Sequence, residues 1–405
     1  MNGLKMKNKI CIIGLGYVGL PLATSLANYH QVIGVDISKK RVEDLKRGYD
    51  QNKEISKKKI LNKNLKFYEN KDLKDNKFDI FIITVPTPVN QIKKPNLSSL
   101  IDACKLISKF FKKRNLLIVE STVSPGTTEN ICKKIISNYS KIKNKDIQIC
   151  FSPERINPGD KKNTLNKINK VISGNSRVAI KKAYTIYKKI VKKVYIADNI
   201  KSAEISKIFE NAQRDVNISL MNELLKICEL YNIDYNEVLR ICSTKWNFSY
   251  FKPGLVGGHC VPVDPYYLLE DLKKKKFKSH IIKNSRDYNE KFVKFIAEKI
   301  TAFTRKIKNK KILFCGISFK NNVLDTRNSK YFELYNILKK KNNITLYEKN
   351  INNLQNYNIY IFGSYNLKTN NFINKIKKMK NKKIVISLFN DLNLKNINNL
   401  KYLRI

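Results

Sequence analysis

Hydrophobic and polar residues alternate in a regular way over roughly the first 200 residues of this chain. Short apolar runs are separated by stretches in which apolar residues recur every three or four positions, the patterns of buried strands and amphipathic helices. The predicted strands are residues 9–14, 31–36, 78–85, 115–122 and 147–152, and the predicted helices are residues 19–29, 38–48, 98–113 and 126–139. This alternation predicts a parallel, doubly wound α/β sheet.

The pattern changes near residue 198. Residues 198–230 contain no Gly or Pro and keep a helical spacing of apolar positions, which predicts a helix of about 45 Å. A second helix is predicted after Asp234, followed by a Gly/Pro-rich loop at 252–265, and the strand pattern returns with KILFCG at 311–316. We therefore expect two Rossmann-like parallel-sheet domains joined by a long central helix and a helical middle domain. The predicted boundaries are 1–197, 198–300 and 301–405.

The charge of the chain points first towards a polyanion. The 405 residues contain 80 Lys+Arg and 33 Asp+Glu, a formal net charge of +47, which taken alone predicts nucleic acid or an anionic membrane as partner. Only 11 of the 80 cations are Arg, and the lysines are spread over the whole chain. Nucleic-acid readers favour clustered Arg. A solvated lysine-rich surface is therefore the favoured interpretation, and a basic nucleic-acid-binding protein is the alternative from another class.

Cysteine and histidine positions do not form a disulfide or metal pattern. The eight Cys include no CxxC pair, and the three His are far apart, so no metal is expected. The apolar N-terminus is interrupted by glycines and Pro21, unlike a signal peptide, and no run of 18 apolar residues occurs. We expect a cytoplasmic protein with reduced thiols and without membrane insertion.

A dinucleotide site is predicted at residues 14–19, where GLGYVG fits GxGxxG between a strand and a helix. Such glycines allow a tight turn and let a pyrophosphate approach the helix N-terminus. The next strand ends at Asp36, whose carboxylate would accept ribose hydroxyls and repel the 2′-phosphate of NADP. NAD is favoured, although Lys39, Lys40 and Arg41 leave room for NADP; the alternative is a plain Gly turn with Asp36 as a helix cap. The predicted cofactor contacts here are Gly14, Gly16, Tyr17, Val18, Gly19, Asp36 and Arg41.

A candidate nucleophile lies in the loop at 252–265. Gly254, Gly257 and Gly258 let the backbone approach a ligand, and Cys260 follows directly. A thiolate nucleophile needs a nearby cation or helix N-terminus. His259 is disfavoured as its base, because adjacent residues in an extended loop tend to point apart. The alternative for Cys260 is an inert buried thiol.

Several segments in order along the chain resemble the UDP-glucose/GDP-mannose dehydrogenase family. They are KICIIGLGYVGLP (9–21), VPTP (85–88), ESTVSPGTT (120–128), FSPERINPGD (151–160), KIFENAQRD (207–215), PGLVGGHC (253–260) and GISFKNNVLDTRNS (316–329). TKWNF (244–248) and HCVPVDPYYL (259–268) are most similar to the branch acting on UDP-N-acetylhexosamines. The resemblance implies NAD-dependent oxidation of a sugar C6 alcohol to a carboxylate, for a surface polysaccharide, with UDP-glucose as the alternative substrate.

The family's catalytic roles fall on residues with their own chemical reasons. Cys260 matches the cysteine that captures the aldehyde and carries a thioester. Lys207 and Asn211, four apart on one helical face, match the pair that stabilises the developing oxyanion. Thr122 and Asp264 match the family's water-positioning pair. Glu154 matches its acid/base or water-binding carboxylate.

The remaining family contacts concern NAD, UDP and the second subunit. Arg327 resembles the arginine that reaches NAD, and the resemblance adds Pro86, Thr87 and Thr122 to the cofactor contacts. The implied substrate contacts are Glu154, Arg155, Lys207, Asn211, Lys252, Gly254, Gly257 and Lys320. Ala212 stands where the family pattern has Thr. Pairing of family members through the long central helix implies a homodimer.

Overall fold

The computed structural model describes residues 8–74, 77–156, 160, 162–321, 325–347, 354–364, 372–376, 379, 383–389 and 400–404. Its contacts group the chain into two compact units. The first unit contains Met1–Glu210 and Tyr266–Phe277, and the second contains Asn211–Pro265 and Lys278–Ile405. The three-domain division stays a prediction.

The first unit is built on a large sheet whose described strands follow the order β3-β2-β1-β4-β5-β6-β7-β8. They are β1 (Lys9–Ile13), β2 (Gln31–Asp36), β3 (Leu65–Glu69), β4 (Ile80–Ile83), β5 (Leu116–Val119), β6 (Gln148–Phe151), β7 (Asn169–Gly174) and β8 (Lys193–Ile196). β1 to β6 are parallel, as predicted for this sheet, although β3 is a strand that the sequence analysis did not predict. β7 departs from that prediction because it runs antiparallel to β6, and β8 then pairs parallel with β7.

Helices cover this sheet and use local capping where the sequence offers it. They are α1 (Gly19–Leu26), α2 (Lys39–Lys46), α3 (Lys57–Ile60), α4 (Ser98–Ser108), α5 (Lys133–Ser140) and α6 (Arg177–Tyr187). The side chains of Ser38 and Ser176 accept hydrogen bonds from the third residue of α2 and of α6, a typical N-cap. A π-helical turn at Thr128–Cys132 leads into α5. The sheet and these helices enclose two apolar clusters, one on each face.

The predicted long helix is confirmed as α7 (Ile200–Leu230). The helix predicted after Asp234 is also confirmed, as α8 (Tyr235–Cys242), with the Asp234 side chain accepting from the backbone of Asn236. Two further helices, which the sequence interpretation did not predict, are α9 (Asp264–Lys274) and α10 (His280–Thr304). Within the described ranges, no helix combines the length and apolar character needed to cross a membrane.

The second unit contains a smaller parallel sheet. Its described strands are β9 (Ile312–Cys315), β10 (Ile344–Leu346), β11 (Ile359–Phe362), β12 (Lys383–Ser387) and β13 (Leu400–Arg404), in the order β10-β9-β11-β12-β13. The helix α11 (Lys330–Lys339) follows β9, and Ser329 caps its N-terminus. This sheet packs with α7, α8, α10 and α11 around one apolar cluster. The prediction of a second parallel sheet is confirmed.

Candidate active site

The turn after β1 has the geometry that the glycine pattern predicts. Gly14 has φ +94° and donates from its backbone nitrogen to the Val35 carbonyl at 2.8 Å. A Cβ on Gly19 would lie 1.8 Å from the Gly14 carbonyl oxygen, so only Gly fits there. A Cβ on Gly16 would meet nothing within 4 Å. The turn is thus closed on the protein side and open at Gly16, the shape that a pyrophosphate needs.

Tyr17 and Val18 complete this turn. Both are half-buried, and Val18 is the residue that directly precedes α1. The turn and the first residues of α1 therefore present backbone groups at a helix N-terminus, where an anion is stabilised. These residues fit a dinucleotide cofactor.

Asp36 and Arg41 both bind the glycine turn. The Asp36 carboxylate accepts from the backbone nitrogens of Leu15 and Ser38, each at 2.9 Å. Each carboxylate oxygen keeps a further lone pair, so ribose hydroxyls remain possible donors. The buried Arg41 guanidinium donates twice to the Leu15 carbonyl, at 3.0 and 2.9 Å, and to Asp50 at 2.8 Å. Arg41 therefore stabilises the turn from inside the protein, and its direct contact with cofactor stays a prediction.

The residues after β4 and β5 are joined by hydrogen bonds. The Thr87 hydroxyl donates to the Thr122 carbonyl at 2.8 Å, and the Tyr267 hydroxyl donates to the Thr87 carbonyl at 2.8 Å. The Ser124 hydroxyl donates back to the Tyr267 carbonyl at 3.2 Å. Pro86 is exposed beside them. The predicted cofactor residues Pro86, Thr87 and Thr122 thus lie at the carboxyl ends of neighbouring parallel strands, the usual position of ligands in such sheets.

Glu154 lies just beyond β6 and is held by charge and backbone donors. It accepts from the backbone nitrogens of Arg155 and Ile156, both at 2.6 Å, and from the Lys170 ammonium at 3.0 Å. The same ammonium donates to Glu120 at 2.7 Å. Burial works to raise the pKa of Glu154, but Lys170 and the two backbone N–H groups bring it below its ordinary value. Glu154 is therefore an ionised carboxylate.

Lys207 and Arg155 occupy different environments in the first unit. Lys207 lies on α7 and is buried, with 9% of its surface exposed. An ordinary lysine on a helix surface would be solvated, so its burial favours a functional role. The Arg155 guanidinium forms an ion pair with Glu210, also on α7. A contact of Arg155 with substrate stays a prediction.

In the second unit, Cys260 lies one turn before α9. The carbonyl of Cys260 accepts from the backbone nitrogens of Val263 and Asp264, at 3.0 and 2.8 Å. The Asp264 carboxylate accepts from the Asn211 side-chain amide at 2.5 Å. Three predicted catalytic residues from two separate segments are therefore brought together. Cys260 is exposed, whereas Asp264 is buried.

The glycine-rich loop before Cys260 is fixed by a buried amide. The Gly254 nitrogen donates to the Asn222 side chain at 2.8 Å, and the Asn222 amide donates back to the Gly254 carbonyl at 3.1 Å. A Cβ on Gly254 would meet nothing within 4 Å, whereas one on Gly257 would lie 2.8 Å from the Asn328 carbonyl. Gly254 is thus open to a ligand, and Gly257 is needed for packing. Lys252 is exposed next to this loop.

His259 and Arg327 share one carboxylate. His259 Nε2 lies 3.0 Å from Asp325, and the Arg327 guanidinium binds the same group through Nε at 3.0 and 3.1 Å. Burial would raise the pKa of Asp325, but the hydrogen bonds from Arg327 and His259 lower it well below the ordinary value. This partner of His259 agrees with the prediction that His259 is not the base for Cys260. Lys320 is half-buried in the same loop, and the ligand contacts of Lys320 and Arg327 stay predictions.

Two supporting residues carry no recognisable signal in the sequence. Glu204 on α7 is fully buried and accepts from the backbone nitrogens of Gly126, at 2.5 Å, and Thr128, at 2.9 Å, in the loop that follows Thr122. Lys170 is the second. In a chain with so many lysines, one buried lysine cannot be singled out before the fold is known. Among the described residues, no group of three or more His, Cys, Asp or Glu is placed to hold a metal ion.

Comparison with known proteins gives matches over most of the chain. Residues 8–191 match the NAD binding domain of the UDP-glucose/GDP-mannose dehydrogenase family, and residues 201–291 match its central domain. The chain is 41% identical over 341 residues to protein CapL of Staphylococcus aureus, covering 82% of this chain and 80% of CapL. It is 40% identical over 332 residues to the UDP-N-acetyl-D-glucosamine 6-dehydrogenase of Salmonella typhi, covering 80% and 78%.

The solved structure of a UDP-D-ManNAc dehydrogenase from Pyrococcus horikoshii superposes with a TM-score of 0.87 at 27% identity, covering 98% of this chain and 99% of the other. Both the predicted Rossmann-type α/β class and the predicted NAD cofactor are therefore confirmed. The protein is an NAD-dependent nucleotide-sugar dehydrogenase, and the chain belongs to the UDP-glucose/GDP-mannose dehydrogenase family.

Proposed function

We propose that the protein oxidises the C6 hydroxymethyl group of a UDP-N-acetylhexosamine to a carboxylate, in two oxidation steps that use Cys260 as covalent nucleophile. The product would be a uronic acid donor for a surface polysaccharide, made in the cytoplasm. The substrate class rests on the TKWNF and HCVPVDPYYL segments and on relatives whose names specify UDP-N-acetylated sugars.

The observation that carries the covalent mechanism is the exposure of Cys260. Cys260 is the one exposed thiol among the eight cysteines of the chain, all of which the structure describes. Six others are buried and Cys242 is half-buried. Burial raises the pKa of Cys150 to about 12 and also raises that of Cys11 and Cys315, so these thiols stay protonated and inert. Only Cys260 combines solvent access with a position beside predicted catalytic residues.

The roles of the protein groups follow from the two oxidation levels. NAD bound at the Gly14–Gly19 turn supplies the hydride acceptor for each oxidation. The first oxidation leaves an aldehyde at C6, to which the Cys260 thiolate adds to form a thiohemiacetal; loss of a second hydride then gives a thioester. Water cleaves the C–S bond of the thioester, which releases the carboxylate and returns the thiol.

The neighbouring polar groups stabilise charge and orient water. Lys207 and Asn211 would supply an ammonium and an amide donor to the alkoxide and thiohemiacetal oxygens. Asp264 accepts from the Asn211 amide, which fixes the direction of the remaining N–H. Thr122, Asp264 and Glu154 would hold the water that attacks the thioester.

The central test replaces the nucleophile. Cys260→Ser should make no uronate, while titration with NAD should give an unchanged affinity. The matched control is Cys242→Ser, on α8, which should keep full turnover. Unchanged carboxylate formation by Cys260→Ser would remove Cys260 from this role.

Substrate identity is tested by a panel of UDP-GlcNAc, UDP-GalNAc, UDP-ManNAc and UDP-glucose. The true substrate should yield two NADH per sugar, whereas an enzyme that stops at the aldehyde would yield one. A preference for UDP-glucose would support the alternative substrate.

We propose a homodimer that pairs through α7. Phe209, Leu220 and Ile227 are exposed along this helix, where a lone soluble helix would place polar side chains. Sedimentation should give a dimer for the wild type, and Leu220→Lys with Ile227→Lys should shift it to a monomer. A monomeric wild type would contradict the proposal.

A further inference from the structure

The carboxylates Glu120 and Glu154 lie at the carboxyl ends of the parallel strands β5 and β6, the edge at which ligand sites form in α/β sheets. β7 runs antiparallel to β6, pairing Cys150 with Gly174 and Phe151 with Ser173. Continuing that register brings Lys170, near the start of β7, opposite Glu154. In a parallel strand, a residue near the start would lie at the other edge. The direction of β7 therefore delivers this lysine to the site.

The contacts of Lys170 form a closed network. Its ammonium lies 2.7 Å from Glu120 Oε2 and 3.0 Å from Glu154 Oε2, and the Lys170 and Glu120 side chains have no exposed surface. The Tyr187 hydroxyl, from α6, donates to the other oxygen of Glu120, and the Tyr187 ring lies 5.4 Å from the ammonium. Glu154 Oε1 is occupied by the backbone nitrogens of Arg155 and Ile156. Both oxygens of Glu154 are thus fixed.

Burying three ionisable groups is costly unless each is paired. Burial raises the pKa of Glu120 to about 7, although Lys170 opposes this. Burial would lower the pKa of Lys170, but the two carboxylates raise it above its ordinary value. Of the two carboxyls in this network, Glu120 is therefore the one with a raised pKa, while Glu154 stays charged.

We propose that Lys170 is a positioning residue of the reaction, which together with Glu120 and Tyr187 keeps Glu154 ionised and in one orientation. This inference rests on the proposed function and sharpens it. Glu154 acts as a fixed carboxylate that accepts a hydrogen bond from the attacking water, and it does not transfer the proton.

The first experiment needs no substrate. In protein labelled with ¹³C at the glutamate carboxyls, the Glu154 resonance is assigned by its loss in Glu154→Gln and followed against pH. In wild type it should titrate below the ordinary glutamate range. In Lys170→Met its pKa should rise by at least about one unit, because the cation that opposes desolvation is gone. An unchanged titration in Lys170→Met would overturn the inference, even if no sugar were ever oxidised.

The second experiment uses turnover. Lys170→Met should lower kcat by about 100-fold near neutral pH with little change in KM or NAD affinity, and should move the acidic limb of kcat to higher pH. Glu120→Gln keeps the Lys170–Glu154 pair, so it should lower kcat less than Lys170→Met does, and it should lose any inflection near pH 7. If Lys170→Met does not fold, Glu120→Gln still tests the proposal, because an inflection near pH 7 that persisted in Glu120→Gln would contradict the network.

The matched control is Lys383→Met. Lys383 is also a buried strand lysine, in β12 of the second unit, and its ammonium donates to the carbonyls of Gln355 and Tyr357 at 2.8 and 2.7 Å. The Lys383→Met variant should lose stability, as Lys170→Met does, but its kcat should keep the wild-type pH profile. If both variants changed the profile alike, Lys170 would be a structural lysine only. A wild type without activity on any UDP-sugar would instead count against the proposed function.

Discussion

The first strand of each sheet ends in the same kind of turn. Gly14 follows β1 with φ +94°, and Gly316 follows β9 with φ +84°. In each turn the glycine carbonyl is faced by another glycine: a Cβ would lie 1.8 Å from that oxygen on Gly19 and 2.2 Å from it on Gly363. Both units therefore fix their first strand-to-loop connection by backbone packing that tolerates no side chain.

The two turns lead into different segments. After Gly14 the chain enters α1 within five residues, and the exposed Gly16 leaves open space above backbone donors. After Gly316 the chain makes a longer loop, whose described part includes Lys320, Asp325 and Arg327, before α11 begins at Lys330. The first turn offers main-chain groups to a pyrophosphate, whereas the second offers charged side chains. The two turns thus share their backbone packing and differ in the residues that follow them.

The largest effect is expected from filling the two closed turns. In Gly19→Ala the new methyl would meet a backbone carbonyl that cannot move aside, so we expect a loss of more than about 3 kcal/mol of unfolding free energy and no detectable NAD binding. Gly363→Ala should destabilise the second unit similarly but leave NAD binding intact. Calorimetry and NAD titration measure both. Loss of NAD binding in Gly363→Ala would show that the turns are not independent.

Each unit also contains a buried carboxyl, and the two carboxyls titrate over different pH ranges. Burial raises the pKa of Glu120 from 4.5 to about 7 in the first unit, and that of Asp215 from 3.8 to about 6 in the second. For each carboxyl the pKa in the folded protein lies above the pKa in the unfolded chain. The contribution of the protonated carboxyl to the free energy of unfolding is therefore complete below the unfolded pKa and is lost as pH rises through the folded pKa. Between these two pKa values, each carboxyl should lower the free energy of unfolding by up to about 3 kcal/mol.

Urea unfolding of wild type and Glu120→Gln between pH 4 and 8 isolates the first of these contributions. The unfolding free energy of wild type relative to Glu120→Gln should fall between pH 4.5 and 7 and stay constant above pH 8. A difference independent of pH would mean that Glu120 is already ionised at pH 4.5.

The comparison also explains which features could be predicted from the sequence. The turn at Gly14–Gly19 was predictable because its whole geometry is local: a strand, three glycines and a helix follow one another. The pairing of Arg327 with Asp325 and of Asn222 with Gly254 was not predictable, because each depends on how a loop folds back.

The strand β7 was missed for a related reason. NKVISG is short and begins with two polar residues, so its pattern does not distinguish a strand from a loop. Its antiparallel direction is a property of the sheet and leaves no mark on six residues. The position of Lys170 depends on that direction, so it was not predictable either, whereas Cys260 and Lys207 were predicted as site residues through motif resemblance.

A smaller effect is expected where the glycines face open space. Gly16→Ala and Gly254→Ala should each leave stability within about 0.5 kcal/mol, because a Cβ meets no atom within 4 Å at either position. Gly16→Ala should weaken NAD binding by about tenfold, because a pyrophosphate needs the close approach. Gly254→Ala should instead raise the KM for the UDP-sugar and leave NAD affinity unchanged. If both variants affected the same ligand, the assignment of Gly16 to NAD and of Gly254 to the UDP-sugar would be wrong.

A further small effect, on the pH dependence of stability, is expected at the loop after Gly316. Hydrogen bonds from Arg327 and His259 hold the pKa of Asp325 below 3.8 in spite of burial, so this carboxylate stabilises the fold above that pH and the gain is lost as pH falls through the folded value. Arg327 is largely exposed, so solvent screens the pair and Asp325→Asn should cost less than about 1 kcal/mol at neutral pH.

The control for this prediction is Asp36→Asn, because Asp36 binds the first turn, and this variant should instead weaken NAD binding. Because Asp325→Asn removes the carboxylate that binds Arg327, it should alter the KM values while leaving the titration of Glu154 untouched. Thermal unfolding from pH 2.5 to 7 should show that the stability deficit of Asp325→Asn shrinks only at the acidic end. A deficit that persisted unchanged at pH 2.5 would mean that Asp325 acts through packing and not through its charge.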